Sequence, residues 1–223
     1  MESETISFSL MELFKMGGGF MWPLLAFSVS VIAISLERAI YLLYHNLRID
    51  DIGSKVSQFV ADRDFSGAAE YLSSLTKRRM GARILLALIN RSAPGPAFSE
   101  HRAERAAETA AMTCINSLEN GFNFLTALGS LSPLTGFLGT VSGMIGAFKS
   151  IAEATEVNAQ IVANGIYEAL ITTVFGLIIA IIAMIFHSIF SHIVNKFAAN
   201  VEKTCSDLIA EIAELRTVTE KTE

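Results

Sequence analysis

Three stretches of this 223-residue chain hold no Lys, Arg, Asp or Glu: residues 16–36, 120–148 and 169–195. Their lengths, 21, 29 and 27 residues, reach or exceed the roughly 20 that a helix needs to cross a bilayer core. Backbone N–H and C=O groups find no water inside that layer, so each run is expected to be helical. Charged residues make up only 17% of the chain, against about 25% in a soluble domain, and mean hydropathy is +0.47. An ordinary soluble enzyme is thereby excluded. Net charge is −5 and no five like charges adjoin, which excludes a nucleic-acid-binding arm.

The pattern predicts an all-α membrane protein with three transmembrane helices. Residues 1–19 hold an interfacial amphipathic helix, marked by Ile6, Leu10, Leu13 and Phe14 at helical spacing. Acidic Glu2 and Glu4 stand where a cleavable signal would be basic, so span one, residues 20–36, is expected to be retained. It is entered through Gly17-Gly18-Gly19, with Trp22 as an interfacial anchor, and left through Glu37-Arg38. Spans two and three, 121–148 and 161–195, form a hairpin about a short connection at 149–160. Eleven of the seventeen basic residues lie between Arg38 and Arg105 and four follow Asn195. The positive-inside rule then places the N-terminus outside, and 37–120 and 196–223 in the cytoplasm.

The cytoplasmic part also reads as helical. Ile52, Val56, Phe59 and Val60 make one series, Phe65, Ala68, Ala69, Leu72 and Leu75 a second, and Ile84, Leu85 and Leu88 a third. Ala93-Pro94-Gly95-Pro96 breaks the chain before a new start at Ser99. From there Ala103, Ala106, Ala107, Ala110 and Ala111 run on without a breaker into span two. Phe197, Val201, Leu208, Ile212 and Leu215 continue span three. Spans two and three are therefore expected to extend as long helices into a cytoplasmic helical domain.

Span two carries a stripe of small residues, Gly129, Ser132, Gly136, Gly139, Thr140, Gly143 and Ala147. Span three matches it with Ala169, Thr172, Gly176, Ala180 and Ala183. Small residues at four-residue spacing let helices approach in lipid. One chain with three spans offers few neighbours, so a homo-oligomer within membrane lipid is the economical reading. If the hairpin turns near Glu156 and Val157, Thr140 and Thr173 lie at one depth. Either they back-bond to their own helices, or they ring a polar path when subunits assemble. Glu168 is the one carboxylate within the apolar stretch that begins near Ile161. It is a functional candidate by its cost, or a residue that reaches interfacial water at the outer end.

Other chemistry is not supported. His187 and His192 lie five residues apart on different helix faces, so no metal site is expected, and no cofactor is implied. Cys114 and Cys205 lack CxxC spacing and read as buried thiols of a reducing compartment. Neither phosphate-loop, dinucleotide, zinc-protease nor serine-hydrolase motifs occur, so no enzymatic activity is expected.

Two of these segments carry a family signature. Ser132-Pro133 followed by Gly136-Phe137-Leu138-Gly139-Thr140-Val141-Ser142-Gly143-Met144-Ile145 resembles the second-span motif of the MotA/TolQ/ExbB proton-channel family. Gly165-Ile166-Tyr167-Glu168-Ala169-Leu170-Ile171-Thr172-Thr173, then Gly176-Leu177, resembles its third-span motif, and Ser35-Leu36-Glu37-Arg38 is similar to the ExbB branch. The resemblance implies a pentamer in the bacterial inner membrane around a single-span ExbD- or TolR-like partner. It further implies proton flow that moves a TonB- or TolA-like protein. Thr140, Thr173 and Glu168 match pathway positions, with Gly136, Gly139, Gly143, Gly176 and Ala180 packing the pore wall. The proton-carrying aspartate would belong to the partner. Ser142 and Ile182 depart from relatives with Trp and Pro there; without that proline, span three should be straighter. A TolQ-like motor and a non-conducting membrane scaffold remain alternatives.

Overall fold

A computed structural model describes residues 10–92, 99–153 and 159–220. Ile6, the 93–96 break and the Glu156–Val157 turn lie outside these. Eight helices follow in order: α1 Leu10–Met16, α2 Met21–Tyr44, α3 Asp50–Ala61, α4 Phe65–Leu75, α5 Met80–Ser92, α6 Glu100–Glu119, α7 Phe122–Glu153 and α8 Ala159–Glu220. Among the described residues three helical stretches are long and apolar enough to cross a membrane, near the N-terminus, ending at Glu153, and from Gly165. The chain divides into two compact units, one of residues 1–36 and 121–188, the other of 37–120 and 189–223.

In the first unit the glycine run is a turn. Gly17 N–H donates to the Leu13 carbonyl at 3.0 Å, closing α1, and Gly18 takes φ +66°, a region disfavoured for residues with a Cβ. Pro23 is accommodated because it falls in the first turn of α2, where its missing N–H breaks no helical bond. Met21, Leu24 and Leu125 are buried, but the seam between α7 and α8 is made mostly of small side chains. Gly129, Ser132, Gly136, Gly139 and Ala147 of α7 are buried, as are Ala169, Thr172, Gly176, Ala180 and Ala183 of α8. Large apolar side chains point outward instead: Trp22 is 67% exposed, Phe137 63% and Met184 63%. That inversion is stable only where lipid or neighbouring helices, not water, surround the bundle.

In the second unit the expected helices are present. Ile52, Val56, Val60, Ala68, Leu72, Ile84, Leu85 and Leu88 are fully buried, with Phe59 half-buried against Tyr71. Asp64 caps α4 by accepting the Gly67 N–H at 2.8 Å. Phe197, Val201, Leu208 and Ile212 of α8 and Ala103 and Ala107 of α6 complete this core. Arg38 is buried and paired with the Glu37 carboxylate. It also donates to the Ser117 carbonyl at 3.3 Å and lies 5.0 Å over the Tyr41 ring. Ser117 stands in the last turn of α6, where free carbonyls favour a cation.

Two expectations need correction. The reading of one unbroken helix from Ala103 into span two fails at Asn120 and Gly121. Asn120 leaves the helical region with ψ 132°, and Gly121 takes φ +87°, so α6 and α7 are separate. Span one, expected to end at Leu36, continues as helix to Tyr44. Charge marks the edge of an apolar layer, but Glu37 and Arg38 satisfy each other and give the helix no reason to stop.

Candidate functional site

The site is built where α7 and α8 touch. A Cβ on Gly136 would lie 2.7 Å from the Thr172 carbonyl oxygen and 3.1 Å from the Thr173 Cα. A Cβ on Gly176 would lie 2.5 Å from the Ser132 carbonyl oxygen. Backbone thus meets backbone, a separation that only hydrogen side chains permit at these positions. Gly139 and Gly143 extend the contact, against Thr172 Oγ1 and the Ala169 Cβ respectively, and Ala180 is buried one turn beyond Gly176.

This approach places three threonine hydroxyls among main-chain carbonyls. Thr140 Oγ1 lies 2.5 Å from Thr173 Oγ1, 3.1 Å from the Ala169 carbonyl and 3.3 Å from the Gly136 carbonyl. Thr173 Oγ1 lies 3.2 Å from the Gly136 carbonyl, which also accepts from Thr172 Oγ1 at 3.1 Å. Thr140 can back-bond within α7, but it lies closer to the Ala169 carbonyl of α8, and Thr173 likewise reaches across to α7. Each hydroxyl has one proton and two lone pairs. Thr173 can therefore donate to Thr140, which donates to Ala169 O, or Thr140 can donate to Thr173, which donates to Gly136 O. The chain can run either way. It ends in main-chain carbonyls, which accept hydrogen bonds but do not titrate.

Glu168 is not brought to this pair. Five residues from Thr173 correspond to about 140° around the helix and about 7.5 Å along it. The carboxylate instead packs on the α1–α2 turn, its Oε1 filling the place of a Cβ at Gly18. Glu168 is half-buried and, among the described residues, has no hydrogen-bond or ion-pair partner. His187 meets the Phe122 ring at 5.9 Å, and among the described residues no group of three or more His, Cys, Asp or Glu could hold a metal. Cys114 and Cys205 are free and buried; burial pushes both thiols up, Cys205 to about 11. Sequence reasoning passed over Thr172 as a mere packing residue and gave no hint of the Gly136 carbonyl. Counting hydroxyls on the small-residue stripe would have found Thr172; the carbonyl has no side-chain signal.

Among the described residues the bundle is all-helical, with three helical stretches apolar enough to cross a membrane and a hydroxyl cluster at the α7–α8 crossing. Comparison with known sequences gives it a family. The MotA/TolQ/ExbB proton channel family matches over residues 76–203, more than half the chain, which therefore belongs to that family. The chain is 31% identical over 191 residues to the biopolymer transport protein ExbB-like 3 of Synechocystis, covering 84% of this chain and 88% of that one. It is 36% identical over 92 residues to the ExbB of Salmonella typhimurium, 41% of this chain and 36% of that protein. To the TolQ of Haemophilus influenzae it is 44% identical over 81 residues, 36% of each chain. The protein is thus a subunit of a membrane proton channel and not an enzyme.

Proposed function

We propose that the chain is a ring-forming, ExbB-like subunit of a bacterial inner-membrane motor. With a single-span ExbD-like partner it couples proton flow to a TonB-like protein and so energises outer-membrane transport. Its N-terminus faces outward, and the α3–α6 unit with the end of α8 is cytoplasmic. The observation that carries this reading is the Thr140–Thr173 pair, set in a wall free of charge between Asn120 and Phe148 and between Ala169 and Asn195. Such a wall orients water and protons while the partner's carboxylate titrates. A few protons suffice for work, since each charge crossing 100 mV delivers about 2.3 kcal/mol. The 44% identity with a TolQ over 81 residues favours a second reading, an envelope-maintenance motor with TolR- and TolA-like partners.

The test replaces Thr140 and Thr173 singly with valine, which keeps shape and removes the hydroxyl. Assembled rings with an ExbD-like partner should lose most gradient-driven proton uptake in proteoliposomes. Normal uptake in both variants, with the ring intact, would sink the pathway assignment.

A further inference from the structure

We infer that Gly18 is a positioning residue for the Glu168 carboxylate, held there by the α1–α2 turn; this rests on the proposed role of Glu168 in the proton pathway. Two independent features require glycine at position 18. Its φ of +66° lies in the left-handed region, and the space of its missing Cβ is taken by Glu168 Oε1, with Cδ close behind. The neighbouring glycines differ. Gly19 has nothing within 4 Å of its Cβ position, and Gly17 meets Met21 Cγ at 2.5 Å and Ile171 Cγ2 at 3.3 Å, not Glu168. One residue in the run is therefore specific to Glu168.

The turn itself is fixed at both ends. Gly17 N–H closes α1 on Leu13, Met21 and Trp22 N–H donate to the Gly18 and Gly19 carbonyls at 3.3 and 3.4 Å, and Phe14 packs edge-on against Trp22 at 5.4 Å. Met21 and Leu24 of α2 are buried, as is Ile171 one turn along α8 from Glu168. A side chain with three free torsions and, among the described residues, no polar partner would otherwise sample several rotamers. The turn's backbone limits it to one side of α8, away from the Thr140–Thr173 face. No side chain at position 18 can coexist with that placement.

The test uses the full chain in the assembled ring, with an ExbD-like partner, in proteoliposomes. Gly19→Ala should conduct within about twofold of wild type, because its Cβ enters open space. Gly18→Ala should lose about tenfold, the ratio set by about 1.4 kcal/mol. Adding Glu168→Asp, whose carboxylate ends one methylene short of residue 18, should recover at least about threefold of that loss, since a factor of three is under 1 kcal/mol. Gly18→Ala behaving like Gly19→Ala would overturn the inference, and so would a loss that aspartate does not relieve, which is backbone damage alone. Glu168→Gln separately tests the pathway role of Glu168. If that variant conducts normally, the pathway role fails, and labelling of Glu168 by a hydrophobic carbodiimide, located by peptide mass spectrometry, decides positioning by itself. Several-fold faster labelling in Gly18→Ala than in Gly19→Ala supports it; equal rates overturn it.

Discussion

Adding one methyl group at Gly136 should destabilise this protein, although alanine is the better helix former. The Cβ would stand 2.7 Å from the Thr172 carbonyl oxygen and 3.1 Å from the Thr173 Cα, both main-chain atoms that cannot turn away. Ordinary contact is about 3.4 Å, so α7 and α8 must separate by about 0.7 Å at this level. The bonds to the Gly136 carbonyl from Thr172 at 3.1 Å and Thr173 at 3.2 Å would then stretch to about 3.8–3.9 Å, beyond hydrogen-bond range. Interhelical hydrogen bonds in membranes average about 0.6 kcal/mol each, and overpacking adds about 1–3 kcal/mol. Alanine's better helix propensity returns about 1 kcal/mol. The net expectation is a loss of about 1–3 kcal/mol together with weakened proton uptake. Gly146→Ala is the matched control on the same helix, because its Cβ meets nothing within 4 Å. Denaturation of the two variants in lipid nanodiscs, followed by circular dichroism, reads the difference. Equal stability would refute the argument from backbone contact.

Other outcomes follow from the second unit. Burial opposes ionisation of Asp51, but the hydrogen bond and charge of Arg79 outweigh it and hold the carboxyl below its usual range. Because the folded value is lowered, the pair stabilises above the unfolded pKa near 4 and loses this as pH falls below it. Asp51 is more than half exposed, so Asp51→Asn should cost no more than about 0.5 kcal/mol at pH 7, and the difference from wild type should shrink as pH falls below about 4, read by thermal melting. Cys114 and Cys205 should react with iodoacetamide at pH 7.5 at least about tenfold more slowly in the folded protein than in the denatured chain, because their burial disfavours the thiolate. Arg38→Met should destabilise by about 1–3 kcal/mol through loss of the Glu37 and Ser117 bonds, and Arg38→Lys should not restore it, because an ammonium cannot make the forked pair. Melting temperatures of both variants check this.

How far the sequence reveals the structure depends on what each signal measures. Absence of charge located the three apolar spans because the cost of a buried charge is paid residue by residue. It could not show that α2 runs on to Tyr44, since a neighbouring Glu37–Arg38 pair neutralises itself. The period of Ile52, Val56 and Val60 was legible, as was that of Phe197, Val201, Leu208 and Ile212, because each face meets one apolar core. The break after Glu119 was also available, in the turn dipeptide Asn120-Gly121, but the surrounding alanine and leucine pattern hid it. That Thr140 and Thr173 share a depth followed from counting back from a hairpin, but the meeting of their hydroxyls depends on the close crossing of α7 and α8. The contact of Glu168 with Gly18 joins residues about 150 positions apart through backbone shape, which no local pattern encodes.

The glycine crossing also limits how the sequence can change. At Gly139 and Gly165 the obstructing atoms are side chains, Thr172 Oγ1 and Ala147 Cβ, so a second substitution could make room for a first. At Gly136 and Gly176 they are carbonyl oxygens of Thr172 and Ser132, present whatever residues stand there. No suppressor at those two contacts can restore the fit. Genetic selections on this protein should therefore return compensating pairs for Gly139 and Gly165, and only reversions for Gly136 and Gly176.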